Sequence, residues 1–301
     1  MRVSVIIPNY NYADFIGGTI NSVLNQTEKV DEIIVVDDGS TDNSRSVIES
    51  FGDKVIPVFQ ENSGQASAIS MGFSKATGDI ICLLDSDDFF FPDKVAIIKK
   101  MYGDDQDTNW VFHDLVEIDG KVIPTQSSIG YNPTFMKSID ERGNMVSGKI
   151  YYDAPATSGL TFRKSFINAL FPLPSAQSIY ISDHYIKFYC LAMSKGAHLN
   201  QNLGGQLIHG DNLYTGTKQM ITRGKIFTNT ALALRTKCPD TIRFCNTLFC
   251  EGRACLNAVG YKDMNQIVRQ YNLELSPLEL ILLEIKKFIK SRRYKKTVSG
   301  S

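Results

Sequence analysis

Three carboxylates fall within four residues at Asp85-Ser86-Asp87-Asp88, directly after the apolar run Ile80-Ile81-Cys82-Leu83-Leu84. A buried strand that ends in such a turn gathers negative charge where a fold tolerates it least, unless a cation neutralises it. Oxygen-only ligands suit Mg²⁺ or Mn²⁺, and these ions complete their shells with water and substrate phosphates rather than with a full protein cage. The turn points to a divalent metal and a phosphorylated substrate. Taken alone, the same acids could be a solvated turn capping the helix after Pro92. The segments that precede them favour the metal.

Those segments alternate strand and helix patterns over the first hundred residues. Val3 to Ile7, Ile33 to Val36, Val55 to Phe59 and the run ending at Leu84 read as strands, and Phe15 to Leu24, Asn43 to Phe51 and Gly64 to Ala76 as helices. This order implies an α/β fold, a mostly parallel Rossmann-like sheet flanked by helices, with ligands bound outside the carboxyl ends of the strands. Every strand end carries polar residues: Pro8-Asn9-Tyr10-Asn11, then Asp37-Asp38-Gly39-Ser40-Thr41-Asp42, then Glu61-Asn62-Ser63-Gly64-Gln65, then the acidic turn.

Neither glycine-rich phosphate cradle is present, because Pro8-Asn9-Tyr10-Asn11 stands where a dinucleotide fingerprint or a P-loop would start. The Tyr10 face can instead stack on a flat ring, and Asp38 can accept hydrogen bonds from a base N–H or a ribose hydroxyl. Phosphates would then be held by the metal.

Composition adds exclusions. Formal charge is zero over 301 residues, so the chain as a whole is not patterned as a nucleic-acid binder. The six cysteines show no Cys-x-x-Cys zinc spacing, no signal peptide precedes them, and no apolar run approaches the roughly eighteen residues of a spanning helix. The expectation is a cytoplasmic protein with reduced thiols.

The series Val5-Ile6-Ile7-Pro8-Asn9-Tyr10-Asn11, Val35-Val36-Asp37-Asp38-Gly39-Ser40-Thr41-Asp42, Asn62-Ser63-Gly64, Ala76-Thr77-Gly78-Asp79 and Leu84-Asp85-Ser86-Asp87-Asp88 resembles family 2 glycosyltransferases of the GT-A fold. The resemblance implies metal-dependent, inverting transfer of a sugar from a nucleoside-diphosphate-sugar donor. It puts Pro8 and Tyr10 at the base, Asp38 on the base edge, and Asp85 to Asp87, Ser86 included, on ribose, diphosphate and metal, with Asn9 and Gln65 also among the donor-binding residues. Asp87 is the implied direct metal ligand, Asp85 the partner of ribose or a metal-bound water, and Asp88 a support. Some relatives carry a basic residue in the helix opening near Gly64, where this chain has Gln65. Phosphate neutralisation would then lean more on the metal.

Inversion needs a base for the acceptor proton. The resemblance places it on Asp183, in Ser182-Asp183-His184-Tyr185-Ile186 ahead of a helical pattern; a helix cap is the other role open to Asp183, and His184 is the second candidate base. It also implies an acceptor-side loop at Tyr152 to Gly159. His209, in Leu207-Ile208-His209-Gly210-Asp211-Asn212, could complete the metal shell or touch the diphosphate.

The expected organisation is a GT-A domain over 1–216, with a nucleotide-binding half 1–100 and an acceptor half 101–216, then a helical region 217–301. Residues 277–301 hold seven basic and two acidic groups, a charge of +5, so residues 1–276 carry −5. A basic amphipathic helix over 277–296 can lie on an anionic membrane surface, where lipid-linked acceptors reside, or pack on the domain. The expected acceptor is a glycan or lipid-linked hydroxyl, at the cytosolic membrane face. Two other functions share the acidic motif: a non-catalytic nucleotide-sugar-binding module, and a sugar-nucleotide pyrophosphorylase. The latter should carry a glycine-rich basic loop after the first strand, which Pro8-Asn9-Tyr10-Asn11 is not.

Overall fold

The computed structural model of the chain describes residues 1–119, 133–174, 183–208 and 216–261, and beyond these 265–273, 275, 279–281, 283–288 and 290. Strands β1 (Val3–Asn9), β2 (Glu32–Asp37), β3 (Ile56–Phe59) and β4 (Ile80–Leu83) alternate with helices α1 (Ala13–Leu24), α2 (Ser44–Glu49) and α3 (Gln65–Lys75). β1 and β4 are buried along their whole length and β2 along all but its first residue. Continuous β-branched runs of this kind suit parallel strands covered on both faces. Parallel pairing of β1 with β2, β1 with β4 and β2 with β3 gives the order β3-β2-β1-β4. The carboxyl ends of these four strands therefore share one edge.

Past β4 the sheet changes character. There follow β5 (Asp88–Phe90), α4 (Lys94–Asp104), β6 (Trp110–Asp119), β7 (Met136–Ile139), α5 (Arg142–Val146), β8 (Leu160–Arg163), α6 (Lys164–Ile167), α7 (Asp183–Met193) and β9 (Gly196–Ile208). β8 pairs antiparallel with both β4 and β6, while β6 runs parallel to β9. β5 and β7 run antiparallel to β9. The order is β3-β2-β1-β4-β8-β6-β9-β5, with β7 also on β9. The sheet is thus parallel through its first half and mixed beyond it.

The described chain clusters into two compact units. The first comprises Met1–Asp140, Asp153–Ala176 and Ser194–Gly210, and holds the whole sheet; its core includes Val5, Ile7, Ile20, Val35, Phe90 and Tyr102. The second comprises Glu141–Tyr152, Gln177–Met193 and Asp211–Ser301. It contains α5, α7, α8 (Gly216–Lys237), α9 (Ile242–Ala258) and α10 (Asn265–Leu273), so the helix that opens at Asp183 clusters with the C-terminal helices. All six cysteines are buried and free of disulfides. Among the described residues no helix is long and apolar enough to cross a membrane.

Candidate functional site

The four loops at the shared strand edge are tied to one another in sequence order by hydrogen bonds. Asn11, in a left-handed conformation with φ 58°, accepts from the Thr41 N–H at 2.7 Å through Oδ1, and its own N–H donates to Ser40 Oγ at 2.8 Å. This joins the first loop to the second. Asp38 joins the second to the third: Oδ1 accepts from Gln60 Nε2 at 2.6 Å and from the Ser63 N–H at 2.9 Å, and Oδ2 from the Gly64 N–H at 2.7 Å. Gly39 permits the approach, since a Cβ there would lie 2.7 Å from the Asn62 nitrogen and the φ of +75° disfavours other residues. Gln65 joins the third loop to the fourth, donating from Nε2 to Asp85 Oδ1 at 3.0 Å.

Within this frame the expected donor residues divide. Tyr10 is 44% exposed just past β1, with a ring able to meet a base. Pro8 and Asn9 are buried in β1, and Asn9 Nδ2 donates to Asp37 Oδ1 at 2.8 Å and Ser40 Oγ at 3.2 Å. Their position holds the loops. Asp38 is buried too, and its three donors leave one acceptor site on Oδ2, each carboxylate oxygen taking about two hydrogen bonds.

The acidic turn alternates. Asp85 and Asp87 are partly exposed, whereas Ser86 and Asp88 are buried. The turn is closed by the Asp88 N–H on the Asp85 carbonyl at 3.1 Å. From α1, the Thr19 hydroxyl lies 2.8 Å from both the Ser86 and Asp88 carbonyls. Burial, and then the Asp85 and Asp87 charges, push the Asp88 carboxyl up to about 8, against a hydrogen bond from Ser158. Burial likewise pulls Lys94 down to about 7, opposed by Cys82 and Asp88. Burial leads in both shifts; the Asp85 and Asp87 charges, the smaller cause at Asp88, are what a cation bound by those two carboxylates would offset.

Among the described residues no group of three or more His, Cys, Asp or Glu is arranged to hold a metal. Two partly exposed carboxylates, Asp85 and Asp87, nevertheless fit Mg²⁺ or Mn²⁺, which take the rest of their shell from water and a substrate diphosphate. His209 lies outside the described residues.

In the helical unit, Asp183 is the first residue of α7 and is buried. Its carboxylate pairs with Lys187, one turn on, and lies 3.1 Å from His184 Nδ1. Burial alone would raise its pKa, but the Lys187 and His184 charges and hydrogen bonds hold it well below the usual carboxylate range. Among the described residues its partners are the side chains of Lys187 and His184. Ser182, the competing cap, lies outside the described residues. The His184 ring meets Phe188 and Phe227 edge-on, with centroids 5.9 and 5.5 Å away.

Three residues of these sites carried no expectation, Thr19, Lys94 and Lys187, and Ser158 was expected only as part of the acceptor-side loop. Only Lys187 had a readable signal, its i, i+4 spacing from Asp183. In the loop expected on the acceptor side, Thr157, Ser158 and Gly159 are buried in the sheet unit.

The family model described as Glycosyl transferase family 2 matches residues 4–169. An uncharacterized glycosyltransferase of Nostoc sp. is 40% identical over 221 residues, which are 70% of this chain and 66% of the relative. The chain thus spans just under two thirds of that relative's length. Staphylococcus aureus TarS 1–349 in complex with UDP-GlcNAc is similar in structure, with a TM-score of 0.60 and 15% identity, covering 100% of this chain and 92% of that one. Mannosyltransferase PcManGT of Pyrobaculum calidifontis, in complex with GDP-Man and Mn²⁺, has a TM-score of 0.53 and 16% identity, covering 98% and 86%. The shared sheet, the four motif-bearing loops and the matched span together make this chain a member of glycosyltransferase family 2, with the GT-A fold.

Proposed function

We propose that this protein transfers a sugar from a nucleoside-diphosphate donor to an acceptor hydroxyl, with inversion at the anomeric carbon. The observation that carries the reading is the chain of hydrogen bonds from Asn11 through Asp38 and Gln65 to Asp85, which holds an exposed aromatic ring and two partly exposed carboxylates on one frame. Similar folds that hold UDP-GlcNAc, or GDP-Man with Mn²⁺, support it.

In this reading Tyr10 stacks on the base, and the open acceptor site of Asp38 takes a base N–H or ribose hydroxyl. Asp87 and Asp85 would hold a divalent cation, which would supply positive charge against the departing diphosphate. Asp183 is the base: as the acceptor oxygen bonds to the anomeric carbon and the bond to diphosphate breaks, the acceptor proton passes to its carboxylate. The ion pair keeps the carboxylate ionised and so able to accept that proton, while its low pKa makes it a weaker base than one whose pKa lies near the working pH.

The acceptor is proposed to be a lipid-linked or surface glycan hydroxyl reached at a membrane face. Among the described residues of the span 279–290, Leu283 is buried while Ile281, Ile285 and Phe288 are 58%, 52% and 57% exposed. At about 100° per residue these three share one side. Lys286 lies off that side, Lys287 and Lys290 pair with Glu284 and Glu251, and Arg292, Arg293, Lys295 and Lys296 follow in the sequence. That composition suits an anionic bilayer.

A thermal-shift and turnover panel of UDP- and GDP-sugars with MnCl₂ tests the function. Stabilisation by one nucleotide class that needs Mn²⁺, with release of that diphosphate, is expected. Binding without any release would favour a nucleotide-sugar-binding module instead.

A further inference from the structure

One buried residue touches both ends of the acidic turn. Ser158 is fully buried in the turn before β8, which places it beside the end of β4. Its hydroxyl donates to Asp88 Oδ2 at 2.5 Å and accepts the Asp85 N–H at 3.0 Å. Its carbonyl accepts from Lys94 Nζ at 2.9 Å, and that ammonium lies 3.4 Å from the centroid of the Phe90 ring. A Cβ on the next residue, Gly159, would come 2.6 Å from the His113 carbonyl, so the segment is seated tightly. The hydroxyl is used once as donor and once as acceptor, so losing it frees a buried carboxylate oxygen and a backbone N–H together.

We propose that Ser158 is a positioning residue for the metal and diphosphate: by fixing the Asp85 N–H and the Asp88 carboxylate from beneath, its hydroxyl keeps the Asp85 and Asp87 carboxylates facing outward as one ligand pair. This rests on the proposed glycosyltransferase function. Asp88 and Lys94 then serve as buried polar groups that Ser158 links through its hydroxyl and its carbonyl, rather than as groups that touch the donor. Buried polar groups are tolerated when hydrogen-bonded, and here a serine supplies a partner to each.

The test is calorimetric titration of UDP and GDP into the full chain across a series of MnCl₂ concentrations and in EDTA. Ser158→Ala should raise the Mn²⁺ concentration for half-maximal nucleotide binding by about tenfold, the scale seen when a partner of a metal ligand is removed. Binding in EDTA should not change. Ser158→Cys keeps the shape with a weaker donor, and should show the same shift if Ser158→Ala does not fold. Adding Ser158→Ala to Asp87→Ala should bring no further loss. An unchanged Mn²⁺ requirement in either folded Ser158 variant, while Asp87→Ala abolishes it, overturns the proposal and leaves the donor site standing. Wild-type protein that binds both nucleotides without regard to Mn²⁺ overturns the metal assignment and this proposal with it.

Discussion

Lys187 lies one helical turn beyond Asp183 on α7, and the two buried side chains form an ion pair. The pair makes Asp183 a carboxylate that stays charged where an isolated buried acid would take up a proton. Lys187→Met leaves that charge without its cation and should cost about 3–5 kcal/mol of stability, as breaking one side of a buried pair does. The sign of the pH effect follows from the lowered pKa. The stabilising contribution of Asp183 is present above its unfolded value of about 3.9 and is lost only as pH falls through the much lower folded value. In the wild type, the acid limb of kcat/KM should therefore come from another group. In Lys187→Met the Asp183 pKa rises, and a new acid limb should enter the measurable range. A folded Lys187→Met enzyme whose acid limb does not move counts against Asp183 as the base; Asp183→Asn should lower kcat by about 10²–10⁴-fold while nucleotide binding persists.

Asp38 is the tie between the second and third loops, so its role divides between structure and ligand. Asp38→Asn replaces one acceptor oxygen with a donor facing the N–H groups of Ser63 and Gly64 or the Gln60 amide. The expected loss is about 1–3 kcal/mol in urea unfolding, from buried donors left unsatisfied. Nucleotide binding should weaken in the same variant. Restoring binding without restoring stability would show that the loop tie, rather than the remaining acceptor site, is dispensable for the donor.

Gln65 donates to Asp85 from an exposed position at the start of α3. A cation there would share in neutralising the diphosphate. Gln65→Arg should lower the Mn²⁺ requirement for nucleotide binding by about two- to fivefold, the scale of one exposed charge pair. The gain should shrink as salt is raised. A Mn²⁺ requirement indifferent to this substitution at low salt would place the phosphates away from Gln65.

The exposed face of Ile281, Ile285 and Phe288 predicts sedimentation with phosphatidylglycerol vesicles and weak sedimentation with phosphatidylcholine vesicles. Ile285→Glu combined with Phe288→Glu should abolish it without loss of the folded state, since both positions are more than half exposed. Equal sedimentation with both lipids would set aside the charge-based part of the reading.

The first half of the sheet was legible because β1, β2 and β4 are continuous apolar runs with turn chemistry at their ends. Helix bounds came within a few residues: Phe15 to Leu24 was expected where α1 covers Ala13–Leu24, and Gly64 to Ala76 where α3 covers Gln65–Lys75. β5 was hidden, because Asp88-Phe89-Phe90 is a three-residue strand that begins inside the acidic turn. β9 was hidden for a different reason: Asn200, Gln201 and Asn202 interrupt its apolar pattern, and Gly204 and Gly205 sit in its interior. The acidic turn and Tyr10 could be read from residue type and spacing. Thr19 and Ser158 could not, since their importance comes from hydrogen bonds to residues about seventy positions away.

The insertion of β8 between β4 and β6 has a consequence for how the protein is made. β4 is central only once residues 160–163 have been synthesised; before that, a nascent chain ending at residue 104 presents the apolar Ile80–Leu83 backbone as an open edge. The acidic turn would also lack Ser158 at that stage. The first three strands can pair as they emerge, but the metal-facing turn must wait for a late, long-range closure, the slow class of β pairing. A fragment of residues 1–104 should accordingly aggregate during expression, whereas the full chain remains in solution.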